Sequence, residues 1–249
     1  MMMNPTTPYV PGTYAKKRPE AGKVAAQYVQ EWEARRQKLM QKKTLPTAIP
    51  PCICLARKIG VGALEIADIL AKKLHLRVAD HEVLEHMAQD TRLDRESVKF
   101  FDEIYPGKTV ELSAMLFGKK SFDMDDYLRS LMSAVYSLAT LGSTIFVGRG
   151  THLILPRDRV LAVRFICSDE FRVKRLASLL HIDTAEATRT LVKLDKEQAS
   201  FFRKAYSRKD AAAAEFDLVI NCDHFGLPKL AADLVARAFR NKFGDELKG

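Results

Sequence analysis

Short apolar runs alternate with longer amphipathic segments from residue 52 onward. Five runs of four to seven residues are nearly continuous in hydrophobicity and rich in β-branched or aliphatic side chains, as is typical of strands covered on both faces of a sheet. These runs read CICLA, LRVA, TIFVG, VLAVRFI and LVIN. The intervening segments have helical spacing, so the pattern predicts an α/β fold in which crossover helices join about five parallel strands.

The same pattern gives the helices and the domain limits. Helices are predicted over residues 63–74, 82–89, 95–104, 126–141, 170–180 and 184 to about 209, with a last one beginning at Pro228. Residues 1–22 mix proline, glycine and polar residues without periodicity, which predicts a disordered or loosely attached stretch. Residues 24–43 read as an exposed or partly docked helix. We therefore predict an N-terminal extension over residues 1–50, partly disordered with one helix, and one α/β domain over residues 51–249.

Most of the excess positive charge lies in this extension. The chain has a formal net charge of +9, and residues 1–50 contain nine Lys or Arg against three Asp or Glu. A basic arm can contact nucleic acid or an anionic membrane surface. It can equally be a solubilising arm that packs on the domain. Because the extension precedes the first predicted strand, its removal is expected to leave a folded domain.

Composition excludes several classes of protein. No stretch approaches the ~18 consecutive apolar residues of a membrane-spanning helix, so membrane insertion is not expected. The N-terminus lacks the pattern of a secretory signal, which favours a cytoplasmic location. The four cysteines have neither CxxC nor zinc-site spacing, and we expect buried, reduced thiols and no resident metal site.

The candidate chemistry begins at the turn after the first predicted strand, which reads ARKIGVGA. Gly60 and Gly62 let the main chain approach an anion, and the following helix offers unpaired N–H groups and a positive dipole end. The Walker pattern would need a lysine at Ala63 and a hydroxyl at Leu64, and both are missing. Taken alone, the loop is equally compatible with a tight structural turn.

Further segments give the loop a context. FVGRGTHLIL ends the third strand, SDEFRVKRL follows the fourth, and LDKEQASFFRKAYSRKD and FDLVINCD come later. In this order, over about residues 52–243, they resemble the cytidylate kinase-like branch of the P-loop nucleoside monophosphate kinases. The resemblance implies a P-loop kinase-type parallel sheet flanked by helices, with helical lid and acceptor-binding segments.

The resemblance also implies site residues. In that branch the loop commonly reads SR, two variable residues and GSGG, so the missing lysine is a trait of the branch. Matched to it, the nucleotide-binding positions are Arg57, Lys58, Gly60, Val61, Gly62, Ala63 and Asp80. Arg149 matches the arginine that grips the acceptor phosphate, and Asp195 matches the aspartate of the lid helix. The lid arginine is replaced by Gln198, which leaves Arg203 and Arg208 as substitutes.

The implied activity is ATP-dependent phosphorylation of a nucleoside monophosphate, CMP or dCMP, with Mg²⁺ bridging the donor phosphates. The alternative is a nucleotide-binding or scaffold protein that keeps the fold without turnover. It is motivated by five departures from polar, acidic or glycine positions of the family pattern: Ala56, Val61, Ala63, Gly150 and Gln198.

Several of these residues also have a purely structural interpretation. Arg149 could be an exposed turn arginine, and Asp80 could cap the helix that follows it. Arg172 and Arg175 are expected on a solvated helix face, so that Arg172→Lys would be nearly silent. His81 and His86 lie about one helical turn apart without a third ligand, so we do not expect a metal site.

Overall fold

The computed structural model describes residues 20–42, 49–90, 93, 122–208 and 210–244. Its strands are β1 (Cys52–Arg57), β2 (Arg77–Asp80), β3 (Thr144–Val147), β4 (Val160–Ile166) and β5 (Leu218–Asn221). Its helices within these ranges are α1 (Ala21–Lys42), α2 (Ala63–Leu74), α3 (His81–Ala88), α4 (Phe122–Leu141), α5 (Asp169–Leu180), α6 (Thr184–Tyr206), α7 (Cys222–Phe225) and α8 (Pro228–Phe243). All five predicted strands are confirmed, whereas the helix predicted over 95–104 lies outside the described residues.

The five strands form one parallel sheet in the order β2-β3-β1-β4-β5. The central strand β1 is flanked on both sides, and its residue Ile53 is in register with Ile145 of β3 and Leu161 of β4. The chain passes from β1 to β2 on one side and, after β3, to β4 on the other side of β1, which opens a crevice at the carboxyl ends of the central strands. The loops after β1 and β3 therefore meet at one edge.

Two apolar layers cover the sheet. On one face, α2 and α8 pack over β1, β3 and β4 through residues such as Leu70, Phe165 and Phe239. On the other face, α3 and α4 pack through residues such as Leu84 and Leu131. Burial on both sides explains why the strands are continuously apolar instead of alternating.

Helix α1 is part of the second layer. It packs on α3 and α4, and Trp32, which is 1% exposed, lies with Ala25 and Val29 in the main core cluster. Of the two interpretations of the basic extension, this packing favours an arm docked on the domain. Removing residues 1–50 would expose this core, contrary to the expectation of an unaffected domain, and the boundary at residue 50 stays a prediction.

A smaller cluster joins the helical hairpin of α5 and α6 to the sheet edge. Leu176, Ala187, Leu191 and Leu194 pack around Ile59, which belongs to the loop after β1. The hairpin thus holds the glycine-containing turn from the side. This contact fixes the turn relative to the α5 and α6 side chains that face it.

Composition led to expectations about the cysteines and about membrane-spanning helices. All four cysteines are free thiols; Cys52, Cys54 and Cys222 are buried as predicted, whereas Cys167 is only partly buried. Burial raises the pKa of Cys52 to about 12, so this thiol is uncharged at neutral pH. Across the described ranges, every helix is too short or too polar to cross a bilayer.

Candidate active site

The turn between β1 and α2 has the backbone of an anion-binding loop. Gly60 and Gly62 have φ angles of +92° and +88°, in the left-handed region where side chains are strained. Gly62 is also the N-terminal cap of α2. Because glycine has no side chain, the first N–H groups of the helix receive no side-chain cap. The first N–H groups of this 12-residue helix and its positive dipole end therefore point out of the turn.

The other predicted loop residues serve different purposes. Val61 and Ala63 are each only 3% exposed and pack in the layer beneath the turn. Their side chains anchor the loop to the core, so that only their main chain can face a ligand. Lys58 is exposed and lines both cavities of this edge.

Arg172 differs from its predicted place on a solvated helix face. It is 2% exposed, and its guanidinium makes two hydrogen bonds to Asp195, of 2.9 and 2.8 Å, and further bonds to Asp169. Nη1 also donates to the main-chain oxygen of Ile59 at 3.1 Å. Burial acts to lower the pKa of Arg172, but the bonds to Asp195 and Asp169 outweigh it and raise the pKa. Arg172 is therefore a charged tie between α5, α6 and the loop.

Arg175, one turn farther along α5, lies directly over the loop. A Cβ atom at position 62 would come within 3.0 Å of Arg175 Nε and 3.1 Å of its Cζ. The guanidinium pairs with Glu65 at 2.9 Å. The loop without a Walker lysine thus receives a cation from α5.

A cavity of about 550 Å³ opens beside the loop at the carboxyl ends of β1, β3 and β4. Its lining includes Arg57, Lys58, His81, Arg149, Gln198 and Phe202. A smaller space of about 50 Å³ lies over the glycine loop, and it shares Arg57, Lys58 and His81 with the larger cavity. The two spaces are therefore neighbours along one sheet edge.

Arg57 is held at the border of the two cavities by Gln198. The amide Nε2 of Gln198 donates to the main-chain oxygen of Arg57 at 2.9 Å, and Arg57 Nη1 contacts Gln198 Oε1 at 3.4 Å. The guanidinium also lies beside the loop after β3, since a Cβ at Gly148 would be 3.6 Å from Arg57 Nη2. The glutamine that replaces the lid arginine thus orients another arginine without adding charge.

Arg149 is fixed by groups from three elements. Its Nε pairs with Glu85 of α3 at 2.8 Å, and its guanidinium lies 4.4 Å from the ring centre of Phe201 in α6. Tyr127 of α4 donates a hydrogen bond to the same oxygen of Glu85. These contacts hold the Arg149 side chain in one orientation, which an arginine exposed on a turn would not require.

The backbone around Arg149 is also restrained. Arg149 itself has a φ angle of +54°, an uncommon conformation for a residue with a side chain. Tyr206 of α6 donates from its hydroxyl to the main-chain oxygen of Arg149, and a Cβ at Gly150 would lie 2.6 Å from the Tyr206 ring. In the family pattern an acidic residue stands at position 150. Tyr206 occupies the space that the Cβ of such a residue would need.

His81 stands between the two cavities as a neutral imidazole. Burial, together with the positive charges of Arg57 and Arg149, lowers its pKa to about 3. Its buried Nδ1 has no hydrogen-bond partner within the described residues. Because the ring stays uncharged at neutral pH, it offers hydrogen-bonding groups without adding to the positive charge.

Asp80 caps the N-terminus of α3, which is the structural interpretation that the sequence offered for it. It is buried, and its Oδ1 accepts a hydrogen bond of 3.0 Å from Val83 N at the start of α3. It also lines the smaller space over the loop. In the parts of the chain that are described, no group of three or more His, Cys, Asp or Glu residues is arranged to hold a metal ion.

The predicted lid residues separate into two sets. Asp195 lines the larger cavity, but both its oxygens are bonded to Arg172. Arg203 and Arg208 are exposed, and neither lines either of these two cavities. Arg208 pairs instead with Glu215 at 2.9 Å. The structure thus brings Asp195 to the site and leaves Arg203 and Arg208 outside it.

Sequence reasoning missed the groups that orient the arginines. Glu85, Phe201, Tyr206 and Gln198 come from α3 and α6, far from the motifs they support. One signal was available for α5, because Arg172 and Arg175 are three residues apart and therefore share a helix face. That face follows directly after β4, at the edge where the glycine turn lies.

Solved structures with a similar fold are known. An uncharacterized protein from Eubacterium ventriosum matches with a TM-score of 0.58 at 16% identity, over 77% of this chain and 98% of that one. A gluconokinase from Sinorhizobium meliloti matches with a TM-score of 0.42 at 13% identity, over 79% and 98%. A shikimate kinase from Bacteroides thetaiotaomicron matches with a TM-score of 0.38 at 12% identity, over 78% and 98%. Of these three matches the first alone has a TM-score above 0.5, and at 16% identity it concerns the fold alone.

Sequence comparison identifies the family. No curated protein sequence is similar enough to count as a relative. The model of the cytidylate kinase-like family, in contrast, matches residues 52–224, which is more than half of the chain. This segment runs from β1 through the glycine turn, the Arg149 loop and the α5–α6 hairpin into α7. The chain therefore belongs to the cytidylate kinase-like family, and its five-stranded parallel sheet is that of a P-loop kinase fold.

Proposed function

We propose that the protein transfers a phosphoryl group from ATP to a nucleoside monophosphate, CMP or dCMP. The observation that carries the proposal is the adjacency of two sites. The space over the glycine loop and the cavity that contains Arg149 share Arg57, Lys58 and His81. Because phosphoryl transfer needs donor and acceptor positioned in line with cations around the moving group, this border is the place for it.

On the donor side, the main chain of the loop does most of the binding. Gly60 and Gly62 let the phosphates approach the N–H groups at the start of α2. Lys58 and Arg175 add positive charge, while Arg172 fixes the loop through the oxygen of Ile59. Each group acts by position and charge and forms no covalent bond to the phosphate.

On the acceptor side, Arg149 binds the acceptor phosphate. Glu85 contacts the Arg149 guanidinium at Nε. The terminal nitrogens of Arg149 can therefore be directed at the cavity that this arginine lines. A planar fork holds a phosphate through two hydrogen bonds. Phe202 lines the same cavity and offers an apolar ring to the base or sugar of the acceptor.

Mg²⁺ would reach the site with ATP. The described residues at this edge of the sheet do not form a site of their own for it, since Leu64 stands at the hydroxyl position and Asp80 caps α3. Magnesium commonly binds through phosphate oxygens and water with one or two carboxylates. Its contribution would be to bridge the donor phosphates and offset their charge.

The alternative, a nucleotide-binding protein without turnover, is favoured by a different observation. Several arginines around the cavities already have carboxylate partners: Arg149 with Glu85, Arg164 with Asp210, Arg172 with Asp195, and Arg175 with Glu65. Each pair reduces the positive charge offered to phosphates.

A cytoplasmic location and contact of the basic extension with an anionic partner also stay predictions.

Calorimetry followed by an activity assay separates the two functions. Purified full-length protein would be titrated with ATP, CMP and dCMP in the presence of MgCl₂, and ADP release would then be followed by a coupled assay. The proposed function predicts binding of both ATP and a monophosphate, and ADP release that depends on the monophosphate. Binding of ATP without ADP release would select the alternative, and no binding of any nucleotide would reject both.

A further inference from the structure

The ion pair between Glu65 and Arg175 occupies an unusual position. Glu65 lies in the first turn of α2, the helix whose N-terminus faces the candidate donor site. Arg175 Nη2 contacts Glu65 Oε2 at 2.9 Å, while the guanidinium lies against Gly62. A carboxylate therefore sits beside the helix terminus and the arginine that an incoming phosphate would use.

The pair contributes little to the stability of the fold. The side chains of Arg175 and Glu65 are 23% and 34% exposed. Ion pairs with this degree of solvent contact typically add little to the stability of a fold. The neighbouring Arg172, which is 2% exposed and bonded to two carboxylates and a carbonyl, already joins α5 to the loop. The Glu65–Arg175 pair is thus largely redundant for holding α5 against the loop.

The space around the pair is lined by groups that attract an anion. The cavity of about 50 Å³ over the loop is lined by Arg175, Glu65, Lys58 and Gly62. It is large enough for a water molecule and borders the larger cavity, from which a phosphate could enter. An anion in this space would meet Lys58, the N-terminus of α2 and, once Glu65 moves aside, the guanidinium of Arg175.

We propose that Glu65 and Arg175 form an ion-pair latch over the glycine loop, which the donor phosphate opens by displacing the Glu65 carboxylate from the guanidinium. Arg175 thereby supplies the charge that the absent loop lysine would have supplied. Glu65 holds Arg175 in place in the absence of nucleotide and competes with the phosphate for it. This inference rests on the proposed function, since it assigns the partners of the donor phosphates.

A latch makes a prediction that an ordinary structural ion pair does not. Through-space repulsion already makes a carboxylate beside phosphates unfavourable, so opposite effects of the two single substitutions would not by themselves identify a latch. In a latch, removing the carboxylate frees the arginine for phosphate, whereas removing the arginine deletes a phosphate ligand. The two single substitutions should therefore shift ATP affinity in opposite directions, and Glu65→Gln should give no gain once Arg175 is replaced by Gln, whereas removal of a merely repulsive carboxylate would tighten binding in both backgrounds.

The experiment compares four single variants and the double variant Glu65→Gln/Arg175→Gln of the full chain by calorimetric titration with ATP and, separately, with inorganic triphosphate. Glu65→Gln is expected to bind ATP at least ~3-fold more tightly, and Arg175→Gln at least ~10-fold more weakly. Arg175→Lys keeps the charge and is expected to recover part of the loss. Lys174→Gln is the matched control, because Lys174 lies on the same helix in an exposed pair with Glu170 and should leave the affinity unchanged.

The outcomes keep this inference distinct from the proposed function. Melting temperatures of all variants establish that each one is folded, and Glu65→Gln with Arg175→Lys tests the latch if Arg175→Gln does not fold. If wild type binds ATP and the Glu65 and Arg175 variants all weaken binding, or all leave it unchanged, or if Glu65→Gln tightens binding as much without Arg175 as with it, the latch is wrong while the proposed function stands. If wild type binds neither ATP nor triphosphate, both are wrong.

Discussion

The donor side and the acceptor side of the candidate site are built in different ways. At the glycine loop Val61 and Ala63 point into the core, and Arg175 of α5 adds its charge to that of Lys58. On the acceptor side the family arginine itself, Arg149, is present. Glu85 and Phe201 contact its side chain, and Tyr206 contacts its backbone.

This difference shows which part of a phosphate site tolerates substitution. An anion-binding loop depends on backbone conformation, so apolar residues such as Val61 and Ala63 are compatible with it while cations arrive from a neighbouring helix. A guanidinium that must present a fork in one direction depends on its side-chain contacts, and those contacts come from α3, α4 and α6. The two sides should therefore respond differently to mutation.

The largest expected effect concerns the support of the acceptor side. Trp32 of α1 is fully buried in the layer that contains α3, the helix that carries Glu85. Trp32→Ala is expected to lower the free energy of unfolding by about 3–5 kcal/mol because it leaves a large cavity. Chemical denaturation measures this change. Met40→Ala, at an exposed position of the same helix, is the control, and an equal stability of both variants would show that α1 is not part of the core.

The next effect concerns the donor side. Gly62→Val should weaken ATP binding by about 100-fold, or ~2.7 kcal/mol, because a β-branched residue is strained at this φ angle and would clash with Arg175. CMP binding should change much less. Calorimetry with each nucleotide checks this, and Gly226→Val, a glycine with positive φ and no side chain near its Cβ position, controls for backbone strain. Unchanged ATP affinity would mean that the turn is structural.

His81 links the two sides and predicts a pH dependence. Its pKa is about 3 in the folded protein, against 6.5 for an ordinary histidine. Since the folded state resists protonation, the stability that this residue contributes is present above pH 6.5 and is lost as pH falls toward 3. From pH 7 to pH 5 the loss should be about 2 kcal/mol, and His81→Gln should remove it. Denaturation at both pH values tests this, with exposed His86→Gln as control; equal losses for wild type and His81→Gln would contradict it.

The smallest expected effect separates the arginine fork from its charge. Arg149→Lys should reduce phosphoryl transfer by at least ~10-fold, or ~1.4 kcal/mol, while ATP affinity barely changes, because lysine loses the fork and the Nε contact with Glu85. Steady-state rates and calorimetry measure the two quantities. The control is Arg189→Lys on the exposed face of α6, since buried Arg172 cannot be the silent control that its sequence position indicated. A full rate in Arg149→Lys would remove its assigned role.

The sequence predicted the sheet and the glycine turn but not the contacts across the site. Continuous apolar runs define the strands because both faces are covered, and Gly60 and Gly62 stand out locally. The burial of Arg172 depends on Ile59 and Asp195, which are 113 and 23 residues away along the chain, and no local pattern contains such pairs. Trp32 was missed for a related reason, since the charged residues around it gave α1 the pattern of an exposed or only partly docked helix.

The central claim is that the donor and acceptor sides form one catalytic site. Incubation of the wild-type protein with ATP labelled in the γ-phosphate and with CMP or dCMP tests it most directly, with the products separated by chromatography. The account predicts that label moves from ATP into the corresponding nucleoside diphosphate and that Arg149→Lys slows this transfer. Label that stays in ATP, or appears only as inorganic phosphate, with every nucleoside monophosphate tried would contradict it.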